Sequence, residues 1–492
     1  MTDVHAQAKR GIKLLMGRQV LLQIVTFSGG IVLARVLGPA QFGLYQIAAF
    51  LVAAFSIFGD FGLASTLIQR KEDLTELDIR VAFTLQFAVT TVIVAALFIT
   101  APWLAHFYPK APPATVWLVR ALSLSLYLTS WRTMSAVQLE RHLKYDRIAR
   151  VEVIESLAYQ GTAVILALTR HGVWSYAIAV LVSGITGTVL MYAASPWLIK
   201  FGFDGAMARK LVRTGVPFQV QMIINSLGDW VTPLFVGRII GPAAVGYIIW
   251  ASSNGKKPML LVSNVVRVAF PHFSRIQHDR AEVERVLERY FSHLLIAGGL
   301  WLAVIVTASP AIVRIVYTSK WLPAVPPLMV YAFALCFDII GWLSTSTLNA
   351  IGKTQFANKV YLFRSFANII LAIVFVIFFG FIGVAVASFV TITFSAIWLL
   401  EGLGQGTSRR ILTNLSWLIP PVVVGIICGK AIGLVPSPML FSVILCAFLT
   451  IFSYLATLWI TMPSRFKSPI FNRLQEQWAT IRGVRVKAQT NL

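Results

Sequence analysis

The sequence predicts an all-α polytopic membrane protein: about fourteen transmembrane helices, arranged as two pseudo-symmetric six-helix lobes followed by two extra C-terminal helices. Three observations predict it. First, 57% of the 492 residues are hydrophobic and only 12% are charged, with a mean hydropathy of +0.77; a soluble domain carries about 25% charged residues. Second, the chain contains an internal duplicate. Ala34-Arg35-Val36-Leu37-Gly38-Pro39-Ala40-Gln41-Phe42-Gly43 returns as Gly237-Arg238-Ile239-Ile240-Gly241-Pro242-Ala243-Ala244-Val245-Gly246, an offset of 203 residues from Arg35 to Arg238. Each copy sits between two apolar runs, as expected of two transmembrane bundles with a site between them. Third, with a cytoplasmic N-terminus, Lys and Arg divide about 29 to about five between the inner and outer sides, which sets the orientation by the positive-inside rule.

A span needs roughly 20 apolar residues. The runs that qualify cover approximately 14–37, 42–68, 82–101, 114–138, 148–169, 173–198, 214–237, 245–270, 291–316, 327–351, 358–379, 382–404, 411–431 and 438–461. The first, Leu14 to Leu37, is too long for a signal-peptide core and a second span follows at once, so it reads as a retained helix. Spans one to six form an N-terminal lobe (1–200). The polar, basic link with Gly202, Gly205, Arg209 and Lys210 leads to a C-terminal lobe of spans seven to twelve (201–405). Weaker echoes support the pairing: Pro102 to Tyr108 against Pro310 to Tyr317, and Pro112-Pro113 against Pro326-Pro327. An even number of helices per copy puts both lobes in the membrane in the same sense, with the pseudo-two-fold along the membrane normal and both termini cytoplasmic. Spans thirteen and fourteen (406–462) have no counterpart. The basic tail (463–492) spaces Ile470, Phe471, Leu474, Trp478 and Ile481 as a helix would. It reads either as an amphipathic helix on the inner leaflet or as a disordered segment.

Several function classes are disfavoured. A formal charge of +23 suggests nucleic acid in a soluble protein, but here the basic residues are dispersed along the inner rim. The outer loops are about a dozen residues at most, too short to scaffold a catalytic site on that face. There is no P-loop, His-Glu-x-x-His or Gly-x-Ser-x-Gly, so the chain reads as a non-enzyme without cofactor. Cys336, Cys428 and Cys446 fall inside apolar spans without metal-ligand spacing and imply neither disulfides nor a metal site.

The chemistry lies in ionisable residues placed within spans, where each costs a few kcal/mol or more unless it meets water or a partner. Arg18 and Asp60 fall at similar depth on adjacent spans, either a structural ion pair or a gated charge. Arg132 matches Glu152 and Glu155 in depth, with the two acids on one helical face. Asp229 lies near the level of the Lys256-Lys257 doublet, and a doublet so deep is difficult to explain by packing. Asp338 sits close to the midplane, a candidate for proton or cation coupling unless a lysine or the Ser344–Thr347 hydroxyls satisfy it. Arg267 and Arg120 are near enough to span ends to snorkel. Arg35 and Arg238 stand at helix ends, where a guanidinium can cap carbonyls and fix the Gly-Pro turn. The candidate binding set is therefore Arg18, Arg35, Arg132, Arg238, Lys256, Lys257 and Arg267, and the candidate coupling or gating set is Asp60, Glu152, Glu155, Asp229 and Asp338. Bases outnumber acids, which suits a phosphate or pyrophosphate cargo in a low-dielectric setting. Trp131, Trp230, Trp250 and Trp342 are available for stacking on sugar rings, or else for packing and interfacial anchoring.

The stretch Leu33 to Gly43, followed by Phe58-Gly59-Asp60-Phe61-Gly62-Leu63-Ala64-Ser65-Thr66-Leu67-Ile68-Gln69-Arg70, resembles bacterial polysaccharide transporters, the Wzx-type lipid-linked oligosaccharide flippases and exopolysaccharide exporters of the MATE-like MOP superfamily. The resemblance implies a two-lobed bundle working by alternating access in the bacterial inner membrane. Its implied cargo is an undecaprenyl-pyrophosphate-linked oligosaccharide for exopolysaccharide, O-antigen or capsule synthesis, moved from the inner to the outer leaflet. It also implies coupling to H+, Na+ or the membrane potential, contact with membrane lipids, and glycan polymerase or assembly proteins as partners. Cavity arginines of such flippases engage the pyrophosphate, and Arg18 occupies a comparable first-helix position. The competing reading is a MATE-like exporter of small molecules, although a drug-cation exporter is expected to carry a net acidic cavity.

Overall fold

The computed structural model describes residues 2–60, 63–69, 72, 74–197, 200–209, 211, 213, 226–228, 230–404, 406–432 and 439–463. Helix is the one regular secondary structure among them, with no strand. Ten helices are long and apolar enough to cross a membrane. The chain is thus an all-helical, multi-pass membrane protein, as expected, and ten rather than fourteen spans qualify by length and composition among the described residues.

The differences from the expected boundaries have local causes. The first two spans run as α1 (Thr2–Asp60), two helices joined across a kink at Gly38, whose φ of 76° and ψ of 174° no helix permits. Pro39 follows, where a missing N–H is tolerated because it opens a new helix. The second half stops at Asp60, and α2 (Leu63–Gln69) supplies the rest of the expected span. α3 (Glu76–His106) begins on a reciprocal cap: Asp78 N donates to Thr75 Oγ1 at 3.2 Å and Thr75 N donates to Asp78 Oδ2 at 2.8 Å, satisfying two otherwise orphaned donors. The fourth expected span is interrupted at Leu124 into α4 (Ala114–Ser123) and α5 (Ser125–Arg141). α6 (Tyr145–Leu168) and α7 (Trp174–Ala194) match the fifth and sixth. Most of the seventh, 214–237, lies outside the described residues.

The eighth expected span is also two helices, α8 (Pro242–Gly255) and α9 (Met259–Ile276), because Pro258 removes a backbone donor from the run. α10 (Arg280–Ile312) starts earlier than expected, where Asp279 accepts a hydrogen bond from Glu282 N at 3.0 Å. It is followed by α11 (Val325–Ala350), α12 (Thr354–Phe379), α13 (Ile382–Glu401), the short α14 (Thr407–Asn414), α15 (Ile419–Ile432) and α16 (Met439–Thr461).

The chain divides into two compact units. The first comprises 1–253, 316–327 and 361–388. In it α6 packs on α7 and α1, and α5 packs on α3 and α7. Its cores centre on Leu63, Leu67, Val81, Phe83 and Met134 and on Leu33, Leu37, Ala163, Ala167 and Tyr176.

Both copies of the repeated motif lie in this unit, and they meet symmetrically. A methyl group built on Gly43 would collide with the Pro242 carbonyl and sit 2.8 Å from Gly246 N; one built on Gly246 would collide with the Pro39 carbonyl and sit 3.2 Å from Gly43 N. The 203-residue offset maps Pro39 on Pro242 and Gly43 on Gly246, so each contact is the image of the other. The loops repeat the exchange. The Lys110 stem packs on Gly241 and its Nζ donates to Ile239 O at 3.1 Å, while the Lys320 stem reaches Gly38. The Tyr108 ring lies on Gly237, and Trp321 Nε1 donates to Ala34 O at 2.8 Å. Each copy therefore clasps the turn of the other.

The second unit comprises 254–315, 328–360 and 389–492. Its core gathers Phe273, Leu287, Phe291, Leu335 and Leu343. The C-terminal pair α15 and α16 pack on each other and on α10. Lipid tails are as apolar as leucine, so small residues and hydrogen bonds must hold such contacts. They do here: Gly299, Gly425 and Gly429 bring backbones close, Tyr454 OH donates to Ile296 O at 2.8 Å, and the Thr307 and Thr450 hydroxyls meet at 3.2 Å. Glu284 binds Arg280, Arg410 and the Thr407 hydroxyl, fastening α14 to the start of α10.

Candidate functional site

The most distinctive site is the interruption between α8 and α9. In an unbroken helix the N–H of residue 258 would bond Asn254 O and that of Met259 would bond Gly255 O. Pro258 has no N–H, and the run tightens instead: Lys257 N donates to Asn254 O at 3.4 Å and Met259 N to Lys256 O at 2.9 Å. Gly255 O accepts from Trp301 Nε1 of α10 at 2.9 Å. Gly255 is wedged against α11, where a Cβ would lie 2.8 Å from Tyr331 Cβ and 3.0 Å from Leu328 O. Only glycine fits without displacing backbone.

From this turn Lys256 reaches Asp338, with Nζ 2.6 Å from Oδ2. Tyr331 and Asp338 are seven residues apart, so they share a face of α11, and Lys256 Nζ also lies 5.7 Å from the centre of the Tyr331 ring. Asp338 stands at the middle of α11. The side chains are 6% exposed for Asp338 and 24% for Lys256. Two charges this dry attract strongly, but stripping their water offsets much of the gain. Lys257, half buried, follows in the same turn. An interrupted helix beside a buried acid and two lysines is able to present charge and backbone dipoles to a polar ligand.

A second ion pair lies in the first unit. Arg132 Nη1 of α5 meets Glu155 Oε1 of α6 at 2.7 Å. Gly187 of α7 leaves room for both: a Cβ there would be 2.8 Å from Glu155 Cδ and 3.1 Å from Arg132 Nη1. Glu152 lies three residues from Glu155 on α6, half buried. α5 carries further polar contacts, with Ser130 Oγ 2.8 Å from Thr90 Oγ1 and Gln86 Nε2 donating to Thr133 Oγ1 at 3.2 Å.

The remaining candidates are dispersed. Arg35 is exposed. Arg238 Nη1 donates to Phe107 O at 2.6 Å and its guanidinium stacks on the Phe107 ring, so it caps the neighbouring loop rather than its own turn. Arg267 is exposed on α9. Arg120 Nε donates to Phe98 O at 3.2 Å. Arg18 and Asp60 both fall on α1, but their side chains lie outside the described residues, as does Asp229. Among the tryptophans, Trp131 and Trp342 are exposed, whereas Trp230 packs on Phe50 and Trp250 on Tyr317 and Trp321. No cluster of His, Cys, Asp or Glu among the described residues has metal-binding geometry.

Three residues escape a reading for charge alone. Pro258, directly after the lysine doublet, is the one visible signal of the interruption. Trp301 and Gly187 act through contacts with residues 46 and 32 or more positions away, which no local pattern reveals.

Residues 32–326, more than half of the chain, match the family described as "Polysaccharide biosynthesis protein". Similar proteins include the teichuronic acid biosynthesis protein TuaB of Bacillus subtilis (24% identical over 61% of this chain and 62% of TuaB). The lipopolysaccharide biosynthesis protein WzxC of Escherichia coli is 25% identical over 68% of each chain. The succinoglycan biosynthesis transport protein ExoT of Rhizobium meliloti is 26% identical over 62% of this chain and 61% of ExoT. The matches with TuaB and ExoT thus span less than two thirds of those proteins' length. In fold, the chain is similar to the lipid II flippase MurJ in an inward closed conformation, with a TM-score of 0.72 over 94% of this chain and 99% of that one at 20% identity. A multidrug resistance MATE transporter of the MOP superfamily, inward-facing, gives a TM-score of 0.59 over 80% of this chain and 95% of the other at 15% identity.

Proposed function

The chain belongs to the polysaccharide biosynthesis protein family, and from that membership we propose that it is a flippase for a polyprenyl-pyrophosphate-linked oligosaccharide, undecaprenyl in a bacterial inner membrane. It carries the headgroup from the inner to the outer leaflet by alternating access, with both termini cytoplasmic and no chemical step catalysed. The lobes are 1–200 and 201–405. The names of WzxC and ExoT, a lipopolysaccharide biosynthesis protein and a succinoglycan transport protein, support a glycan cargo, and the fold shared with MurJ supports a lipid-linked one.

The observation that carries the reading is the Lys256–Asp338 pair at an interrupted helix. A pyrophosphate is a stronger acceptor for an ammonium than one carboxylate, since it brings more charge and more oxygens. When it takes Lys256, with Lys257 beside it, Asp338 gives up the Lys256 ammonium and can take up a proton or Na+ in its place. Cargo entry and cation uptake are then linked through one carboxylate. Arg132 with Glu155 offers the same exchange in the first unit, with Glu152 alongside. Arg18, Arg35, Arg238 and Arg267 complete the proposed anion-binding set, and Asp60 and Asp229 the proposed coupling set.

The test is deletion and complementation. Loss of the gene should cause lipid-linked glycan to accumulate on the inner leaflet. The wild-type chain should clear it, and Lys256→Ala/Lys257→Ala, present at wild-type level in the membrane, should not. Normal clearance by that double variant removes the lysines from the site.

A further inference from the structure

Gly255 O has two possible donors. In a helix merely kinked by Pro258, it would bond Met259 N, and only the bond normally made by residue 258 would be lost. The structure shows the other arrangement. Met259 N has moved to Lys256 O at 2.9 Å, and Trp301 Nε1 has taken Gly255 O at 2.9 Å. Within the hydrocarbon a carbonyl left without a donor is strongly disfavoured. The tight turn at residues 254–258 is therefore compatible with the membrane interior because an indole N–H from another helix replaces the donor that the turn withdraws.

This matters for the lysines. A tight turn advances each residue by a larger angle than an α-helix does, so the two arrangements aim Lys256 and Lys257 differently. In the observed one, Gly255 is seated on Tyr331 and Leu328 of α11, and Lys256 extends along the same helix to Asp338, two turns further on. Trp301 packs against the core of the second unit, which fixes the position of its N–H. Resting on the reading of Lys256 and Lys257 as cargo-binding, we propose that Trp301 is a positioning residue: its Nε1–H selects the tight turn, and through it holds Lys256 on Asp338 and presents the doublet to the pyrophosphate. Trp301 does not itself touch the cargo.

The experiment separates the indole's N–H from its bulk. The full-length chain is expressed in the deletion strain as wild type, as Trp301→Phe, as Lys256→Ala/Lys257→Ala, and with benzothienylalanine at position 301, which keeps the bicyclic shape and replaces N–H by sulfur. Glycan export is measured per unit of membrane-inserted protein. Amide hydrogen exchange of the purified chains is followed in lipid nanodiscs. The expected result is at least a tenfold fall in export for Trp301→Phe and for the sulfur analogue, with membrane levels intact. Faster exchange should be confined to the segment 254–260. A residue that only packs would be insensitive to exchange of N–H for sulfur, and its loss would loosen α10 and α11 broadly. Wild-type export and exchange with the sulfur analogue overturn the proposal. So does loss of the analogue from the membrane, which would make the role one of packing. Normal export by the lysine double variant would instead overturn the cargo-binding reading, while the local exchange of the position-301 variants still reports whether the N–H holds the turn.

Discussion

Replacing Asp338 should separate what the buried pair does for stability from what it does for transport. At 2.6 Å and an effective dielectric of about 20, the Coulomb attraction is about 6 kcal/mol, most of which desolvation offsets. Breaking such a pair from one side leaves a charge stranded at 24% exposure and costs about 3–5 kcal/mol. Asp338→Ala should therefore shift the unfolding equilibrium by two orders of magnitude or more. Asp338→Asn should lose somewhat less, because the amide oxygen still accepts from Lys256. The double variant Lys256→Met/Asp338→Leu removes both charges at similar volume and should recover most of the stability while exporting nothing. The assay is a double-mutant cycle on the chain in nanodiscs, read by reversible unfolding, with export measured in parallel. A coupling energy above about 1.5 kcal/mol is expected for residues in direct contact. A value under about 0.5 kcal/mol, or export by the double variant, would refute the reasoning.

Other positions give sharper structural tests. Gly43→Ala should reduce the amount of folded protein, because its Cβ meets the Pro242 carbonyl, whereas Gly30→Ala, with nothing within 4 Å, should be neutral or stabilise the helix by about 0.5–1 kcal/mol; equal membrane levels of the two variants would contradict the crossing of the turns. Gly187→Ala should push Glu155 from Arg132 and lower stability by about 1–2 kcal/mol, with Glu155→Gln less sensitive to the same substitution; additivity of the two changes would dissociate Gly187 from the pair. Trp321→Phe removes the donor to Ala34 O and should cost about 1–3 kcal/mol, measured as earlier thermal unfolding in nanodiscs.

Much of the architecture was legible because the membrane imposes a coarse rule on sequence. Apolar runs of sufficient length must be helices, since every backbone group must be satisfied within its own segment. The duplicated Gly-Pro turns were also legible, and the structure supplies the reason for the glycines: Gly38 and Gly241 have φ values of 76° and 119°. That Asp338 and the lysine doublet fall well inside apolar runs was legible from counting residues, at 1.5 Å of helix each. Counting gives height, not azimuth. The sequence puts Asp229 near the level of the doublet, and that residue lies outside the described residues; the contact seen is Lys256 with Asp338, the lysine alternative for that acid, from a helix some 80 residues downstream.

Composition and spacing alone determined that this chain crosses the membrane repeatedly, that it is duplicated, and that it carries charge where charge is expensive. Those properties depend on hydrophobic length and on local backbone chemistry, which a linear code expresses directly. The tertiary structure alone decided that each copy's loop clasps the other copy's turn, that Trp301 caps an interruption at Gly255, and that Gly187 opens space for Arg132 and Glu155. These depend on which faces of distant helices meet, and residues far apart in sequence acquire a mutual distance only when the chain has folded.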